Sequence, residues 1–488
     1  MEGTERTRQE SGELQQRLRL RHLIMLSVGG TVASGFFLFI GAAIGIAGPA
    51  VVFTIAAVGL VTMAVMACLA ELSVTRAVAG AFSVYARETM GPLVGFLTGW
   101  NYWLAWVMGA AAESLAAGTY LHAIRPEFPI WAVAGVIVAV IMTINLVGVY
   151  FMGETEFWLS TLKLTALGIF VVLGIAAILG IGFSARGIDA YTAYGGFAPN
   201  GVGAVFAALF TVFFAYVGIE MMSASGEESV HPERDIPRGL IWTAAIISLL
   251  FISGSLVLMA LVPWERAATT SRSPFVDALN TLHVPVIVAV FSWVIIIASL
   301  SSVNGGLYTA SRMMFSLSRE GYFPKALRRV HDTRGVPTPA IVVTSLCIFV
   351  GAVIAFISPN FAYVFVASLS AFGFLFAWLV IPIVQMLYRR QRGEDYVRAL
   401  QWRVPLYPLT PLVAIGAVLI AFVGQFFFGS GTTIGPVTIP GNGVTVVVGL
   451  VWTGLWTLYY LTMGRTMKDR LVRENRGETR EVRDASSI

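Results

Sequence analysis

Val28-Gly29-Gly30-Thr31-Val32-Ala33-Ser34-Gly35 lies inside an apolar run that reaches from residue 22 to residue 47. Glycine in a helix interior is less favourable than alanine by about 1 kcal/mol per position. Close packing through small residues accounts for Gly29 or Gly35 alone. It accounts less well for three glycines with polar Thr31 and Ser34 among them. The stretch reads as a helix interrupted in mid-membrane. A second interruption, Phe214-Ala215-Tyr216-Val217-Gly218-Ile219-Glu220, falls in the run 201–223.

The rest of the chain supports a membrane reading. Of 488 residues, 57% are hydrophobic and 12% charged, with mean hydropathy +0.78. Soluble domains carry about 25% charged residues. A soluble enzyme, a disordered chain, a collagen-like fibre and a single-span receptor are thereby excluded. Twelve apolar runs are long enough to cross a ~30 Å hydrocarbon core. They cover about 22–47, 50–75, 92–121, 130–150, 157–182, 201–223, 239–262, 284–316, 338–357, 361–388, 408–428 and 442–464, and are numbered spans 1 to 12. None alternates with period two, so they are helices rather than barrel strands. The fold class expected is an all-α membrane protein with twelve transmembrane helices.

Basic residues set the orientation. With the N-terminus in the cytoplasm, 27 of the 32 Lys and Arg lie on the inner side and four (Arg125, Arg186, Arg266, Arg272) on the outer; Lys163 lies within a span. This positive-inside bias places both termini in the cytoplasm and the chain in the cytoplasmic membrane. No cleavable signal peptide is visible. Residues 1–21 form a cytoplasmic arm and 465–488 a charged cytoplasmic tail. The net charge of +5 does not indicate nucleic acid, because the basic residues alternate with spans. Cys68 and Cys347 read as small hydrophobes in helix packing.

Interrupted helices at matching places in two halves point to a transporter binding site. Spans 1 and 6 match if spans 1–5 (22–182) and 6–10 (201–390) are repeats. Five spans per repeat makes the halves inverted, and 408–464 adds two further helices. At a break, the second half-helix offers unpaired N–H groups and a positive dipole end, which suit a carboxylate. Carbonyls ending the first half suit an ammonium. Both together suit a zwitterion, and an amino acid is the expected ligand.

Several motifs carry a resemblance to a known family. Arg21-His22-Leu23-Ile24-Met25 followed by Gly29-Gly30-Thr31 resembles the opening of prokaryotic amino acid permeases, of the amino acid–polyamine–organocation superfamily. Similar to that family also are Gly80-Ala81-Phe82-Ser83, Gly95-Phe96-Leu97-Thr98-Gly99-Trp100-Asn101-Tyr102-Trp103, Gly153-Glu154-Thr155-Glu156-Phe157-Trp158 with Lys163, Gly226-Glu227-Glu228-Ser229 with Pro232 and Ile236-Pro237, and Ser311-Arg312-Met313. The resemblance covers about 15–465. It implies the five-plus-five inverted-repeat fold and secondary transport by alternating access. It implies that Thr31, Ser34 and Gly35 meet the substrate carboxylate. The carbonyls of Val32, Phe214 and Val217 would meet its amine, and Gly305 and Gly306 would face it from span 8. Against the family pattern, Ala33 replaces a glycine and Phe36 a leucine. In some relatives a lysine at the place of Lys163 stands where others hold sodium.

Charges inside spans are costly and usually functional. Lys163, about five residues into span 5, is expected as a buried amine that titrates. Glu113 in span 3 and Glu220 after the second break are further coupling candidates. Glu220 could equally brace the break. Ser301 and Ser302 form an alternative sodium site. Glu154, Glu156, Glu227 and Glu228 are expected near cytoplasmic loops, pairing with Arg76, Arg87 or Arg312 at an inward gate. His22 reads as an interface anchor, and Trp100, Trp103 and Trp106 as core or belt. No phosphate loop, paired histidines or Gly-x-Ser-x-Gly appears, so no enzyme, cofactor or metal is expected. The expected function is proton-coupled uptake of an amino acid, a neutral one. An exchanger, a sodium symporter and a non-transporting sensor are the alternatives. No feature sets an oligomeric state.

Overall fold

The computed structural model describes residues 14–37, 40–75, 78–269, 273–427, 432–434, 437–439 and 443–464. Arg76, most of the arm and the whole 465–488 tail lie outside them. Seven helices among the described residues are long and apolar enough to cross a membrane. The chain is an all-α, multi-pass membrane protein. Helices answer all twelve apolar runs, among them Val51–Thr75, Pro92–Ile124, Ile130–Val147, Pro232–Leu261, Pro285–Arg319 and Thr338–Ile357. A small antiparallel hairpin, Thr432–Ile434 with Val437–Ile439, stands between the last two.

Polarity is arranged inside out. Large apolar side chains such as Trp158, Val172, Leu249, Leu346 and Leu450 are exposed on the outer surface. Glu113, Glu156, Lys163, Glu220, Glu228 and Arg312 are buried. The bilayer takes the apolar surface, so the bundle interior is the place for the hydrogen-bonding groups.

Two boundaries differ from the sequence reading. Span 5 begins at Val149, just after Gly148 with φ 155° separates it from span 4. The polar stretch Glu154–Glu156 looked like a loop, but Glu156 faces inward, where its polarity is matched. Lys163 therefore lies fourteen residues past the helix start, in mid-bundle, and not about five. The expected loop after span 2 contains a further helix, Ala81–Met90. At 1.5 Å per residue it is too short to cross, and it buries Phe82 and Tyr85 in the bundle.

The two interruptions are present and touch each other. Span 1 is helical over Leu20–Thr31, turns at Val32 and Ala33, and resumes at Ser34–Phe37 and Ile40–Ala47. Span 6 is helical to Tyr216, extended at Val217 (φ −65°, ψ 146°) and continues after Gly218 as 3-10 turns, Ile219–Glu228. Gly218 has φ 116°, and a Cβ there would lie 2.7 Å from the Gly30 carbonyl carbon and 2.8 Å from Thr31 Oγ1. Only glycine satisfies both the angle and the approach. Across the breaks, Ser27 Oγ donates to the Ile219 carbonyl at 2.9 Å. Glu220 closes the second break: it accepts from the Gly218 N–H at 3.0 Å, Tyr102 OH at 3.2 Å and Trp378 Nε1 at 3.2 Å.

Gly218→Ala is expected to destabilise the protein by about 1–3 kcal/mol through backbone strain alone, and by more from the Gly30 contact. The measurement is thermal unfolding in detergent, where an unchanged midpoint would contradict the assigned contact.

Candidate functional site

The interrupted helices build the site. The second half of span 1 starts at Ser34, whose backbone N–H points away from any intrahelical acceptor. Its partner is a side chain from span 3: the Ser34 N–H donates to Glu113 Oε2 at 3.2 Å, and Ser34 Oγ donates to Glu113 Oε1 at 2.7 Å. Tyr363 OH lies 3.4 Å from Ser34 Oγ. The start of this half-helix thus holds a carboxylate.

Beside it is a narrow cleft. Thr31, Gly35, Phe214 and Val217, four of the residues predicted from the sequence, line it together with Glu113 and Ser302. Val32 and Ser34 adjoin these residues in the chain and are not part of the lining. Val32 ends the first half-helix by donating its N–H to the Val28 carbonyl at 2.8 Å.

Gly305 and Gly306 do not line the cavity. A Cβ on Gly305 would meet Met221 Cε at 3.2 Å, and one on Gly306 would meet Trp106 Cε3 at 2.9 Å. Met221 and Trp106 pack against these glycines. Trp106 itself lines the cavity, as do Ala33, Gly109, Ser370 and Phe374. Helical spacing with Trp103 predicts core or belt for Trp106, because spacing does not say which face it takes. Phe36 turns away from the cavity and stacks on Phe251, with centroids 3.8 Å apart. Ala33 has no positive φ, so alanine fits where the family pattern has glycine.

Behind the first half of span 1 lies a buried polar group of atoms. Lys163 Nζ donates to the Gly29 carbonyl at 2.6 Å. Ser302 Oγ donates to the Gly30 carbonyl at 3.3 Å. Ser301 donates to Glu156 Oε1 and Asn304 Nδ2 to Glu156 Oε2, the latter at 2.7 Å. Glu156 is fully buried between spans 1, 5 and 8, a correction to the loop position expected for it.

Ion pairs close the side of the molecule that carries the N-terminal arm. Arg312 NH2 lies 3.0 Å from Glu228 Oε1, both 1% exposed, and Tyr308 OH donates to the same carboxylate. Arg319 pairs with Glu227, and Arg87 NH1 lies 2.7 Å from Glu320 Oε1. Arg21 and His22 meet Glu154, the latter at 3.1 Å. The N–H groups of Arg17 and Leu18 both donate to the Glu228 carbonyl at 2.9 Å.

The amino acid permease family model matches residues 22–473. The chain is 32% identical to the amino acid permease YtnA of Bacillus subtilis, over 90% of this chain and 93% of the relative. It is 36% identical to the amino-acid permease RocC of the same organism, over 84% and 89%. It is 29% identical to the D-serine/D-alanine/glycine transporter of Escherichia coli K12, over 80% and 84%.

The Arg312–Glu228 pair has a measurable consequence. Arg312→Gln leaves a buried carboxylate without its cation and is expected to cost about 3–5 kcal/mol. The double variant Arg312→Gln with Glu228→Gln should recover part of that loss. Thermal unfolding of both variants in detergent checks this, and equal loss in the two would contradict it.

Proposed function

The chain belongs to the amino acid permease family and is an amino acid transporter, not an enzyme; from that premise we propose proton-coupled uptake of a neutral amino acid across the cytoplasmic membrane by alternating access. The observation that supports this most is the Glu113 carboxylate held by Ser34. A substrate carboxylate is the same chemical group. In this reading it competes with Glu113 for Ser34 at the positive end of the half-helix. Thr31 and Gly35 flank that position. The carbonyls of Val32, Phe214 and Val217 take the ammonium.

Substrate class follows from the walls. Phe214, Phe374 and Trp106 are apolar, which suits a neutral side chain. The Escherichia coli relative is named for D-serine, D-alanine and glycine, all neutral. Spans 1–5 and 6–10 act as inverted repeats, all twelve helices cross the bilayer, and both termini are cytoplasmic. The Glu228–Arg312 pair then closes the cytoplasmic side.

Coupling is assigned to Lys163, with Glu113 as its partner at the substrate. Lys163 lies against the first half of span 1, and Glu113 against the second. A proton biases the carrier only if the outward-open and inward-open forms hold it differently. Displacing Glu113 from Ser34 supplies such a difference. Glu220 is held by three donors at the second break, which favours a bracing role. The hydroxyls of Ser301 and Ser302 are engaged by Glu156 and the Gly30 carbonyl, and the amine is on Gly29. This arrangement supports proton over sodium coupling.

The test is uptake into proteoliposomes. A panel of labelled amino acids is offered under an inward proton gradient and then an inward sodium gradient, with Lys163→Gln alongside. The expected result is accumulation of a neutral amino acid driven by protons and lost in the variant. Sodium-driven accumulation would move coupling to Ser301 and Ser302. Counterflow without either gradient would make the protein an exchanger, and binding without movement a sensor.

A further inference from the structure

We propose that Glu156 is a positioning residue of the coupling machinery, a fixed counter-charge that acts on the Lys163 amine from the other side of Gly29. The proposal rests on the proton-coupled reading above and names a residue that reading does not use.

Gly29 touches both charges. Its carbonyl accepts from Lys163 Nζ at 2.6 Å. A Cβ on its other face would lie 1.7 Å from Glu156 Oε1 and 2.9 Å from Ser160 Oγ. Glu156 therefore lies directly on the backbone of the interrupted helix, and glycine is what lets it do so. Lys163 and Glu156 are seven residues apart on one helix, two turns, and so share a face.

The surroundings of Glu156 suit an ionised carboxylate, which only accepts hydrogen bonds. Asn304 Nδ2 donates to Oε2 at 2.7 Å, and Ser301 donates to Oε1. The orientation of the Asn304 amide is set by Asn145, whose Nδ2 donates to Asn304 Oδ1 at 2.9 Å. Asn304 must then turn its NH2 toward Glu156. Ser160 has one hydroxyl hydrogen and two acceptors in reach, the Met25 carbonyl at 2.8 Å and Glu156 Oε1 at 2.9 Å. It links the carboxylate to the first half of span 1.

The titratable groups acting on the amine are Glu156 on its own helix and Glu113 from span 3. The groups that reach Glu156 are uncharged: Ser301 and Asn304 from span 8, the latter oriented by Asn145 of span 4, and Ser160 on its own helix, which also reaches the Met25 carbonyl of span 1. The two carboxylates have different roles. Glu113 sits at the substrate and is displaced by it. Glu156 is pinned by its donors and stays. When substrate arrives, Lys163 loses one neighbour and keeps the other. Glu156 thus sets the proton concentration at which the amine releases its proton to solvent through the open face.

The experiment is the pH profile of proton-driven uptake in proteoliposomes of the full-length protein. It uses the amino acid identified in the panel, with each profile normalised to its own maximum. Removing a fixed negative neighbour loosens the hold on a proton, so Glu156→Gln is expected to move the midpoint to lower pH by about one unit or more. Glu156→Asp and Ser301→Ala should move it the same way by less. A wild-type midpoint in Glu156→Gln, with proton-driven accumulation lost in Lys163→Gln, would overturn the role of Glu156 and leave the coupling reading intact. Accumulation with an unaltered pH profile in Lys163→Gln would overturn both. Should Glu156→Gln fail to elute as a folded monodisperse species, Ser301→Ala decides: an unmoved midpoint overturns the proposal.

Discussion

A helix interrupted inside a bilayer leaves backbone groups that no water can take. In this protein most of those groups are taken by the residues that looked like isolated charges and hydroxyls in the sequence. The Ser34 N–H goes to Glu113, the Gly29 carbonyl to Lys163, the Gly30 carbonyl to Ser302, the Gly218 N–H to Glu220 and the Ile219 carbonyl to Ser27. The costs of breaking two helices and of burying three ionisable side chains, Glu113, Lys163 and Glu220, offset each other.

The buried partners and the outer ion pairs are not equivalent. Arg398 and Glu394 lie 3.9 Å apart and are 71% and 90% exposed. Such a pair contributes little. Glu228, by contrast, is enclosed with Arg312 and Tyr308, and Arg312 also stacks on the Tyr308 ring at 4.0 Å. Removing one member strands the other. The arm backbone adds to this closure at the Glu228 carbonyl. Closure on that side is thus built from span 6, span 8 and the arm together, which ties the second break to the surface of the bundle.

Much of this architecture was legible because the bilayer reads composition directly. Runs of about twenty apolar residues had to become helices, and glycines beside hydroxyls marked where two of them stop. Thr31, Gly35, Phe214 and Val217 were legible as residues of the cleft between the breaks because they belong to those breaks. Boundaries in polar inward-facing stretches were less legible. Gly153–Glu156 has loop composition, yet it is helical because Glu156 meets Asn304, Ser301 and Ser160. Gly305 and Gly306 resembled ligand-facing positions, and they are small because Met221 and Trp106 occupy the space.

The sequence by itself determined the all-α membrane class, the places of the two breaks and the chemistry they offer. Those follow from local composition, which acts over a few turns of helix. Only the tertiary structure decided which charge meets which broken end, that Trp106 faces the cavity and that Glu156 lies on Gly29. The contacts between spans 1, 3, 5, 6 and 8 join residues far apart in the chain, 79 positions for Ser34 to Glu113, 134 for Lys163 to Gly29 and 145 for Glu156 to Ser301. No local pattern encodes such a pairing, because it depends on which faces of five separate helices come to point at one another.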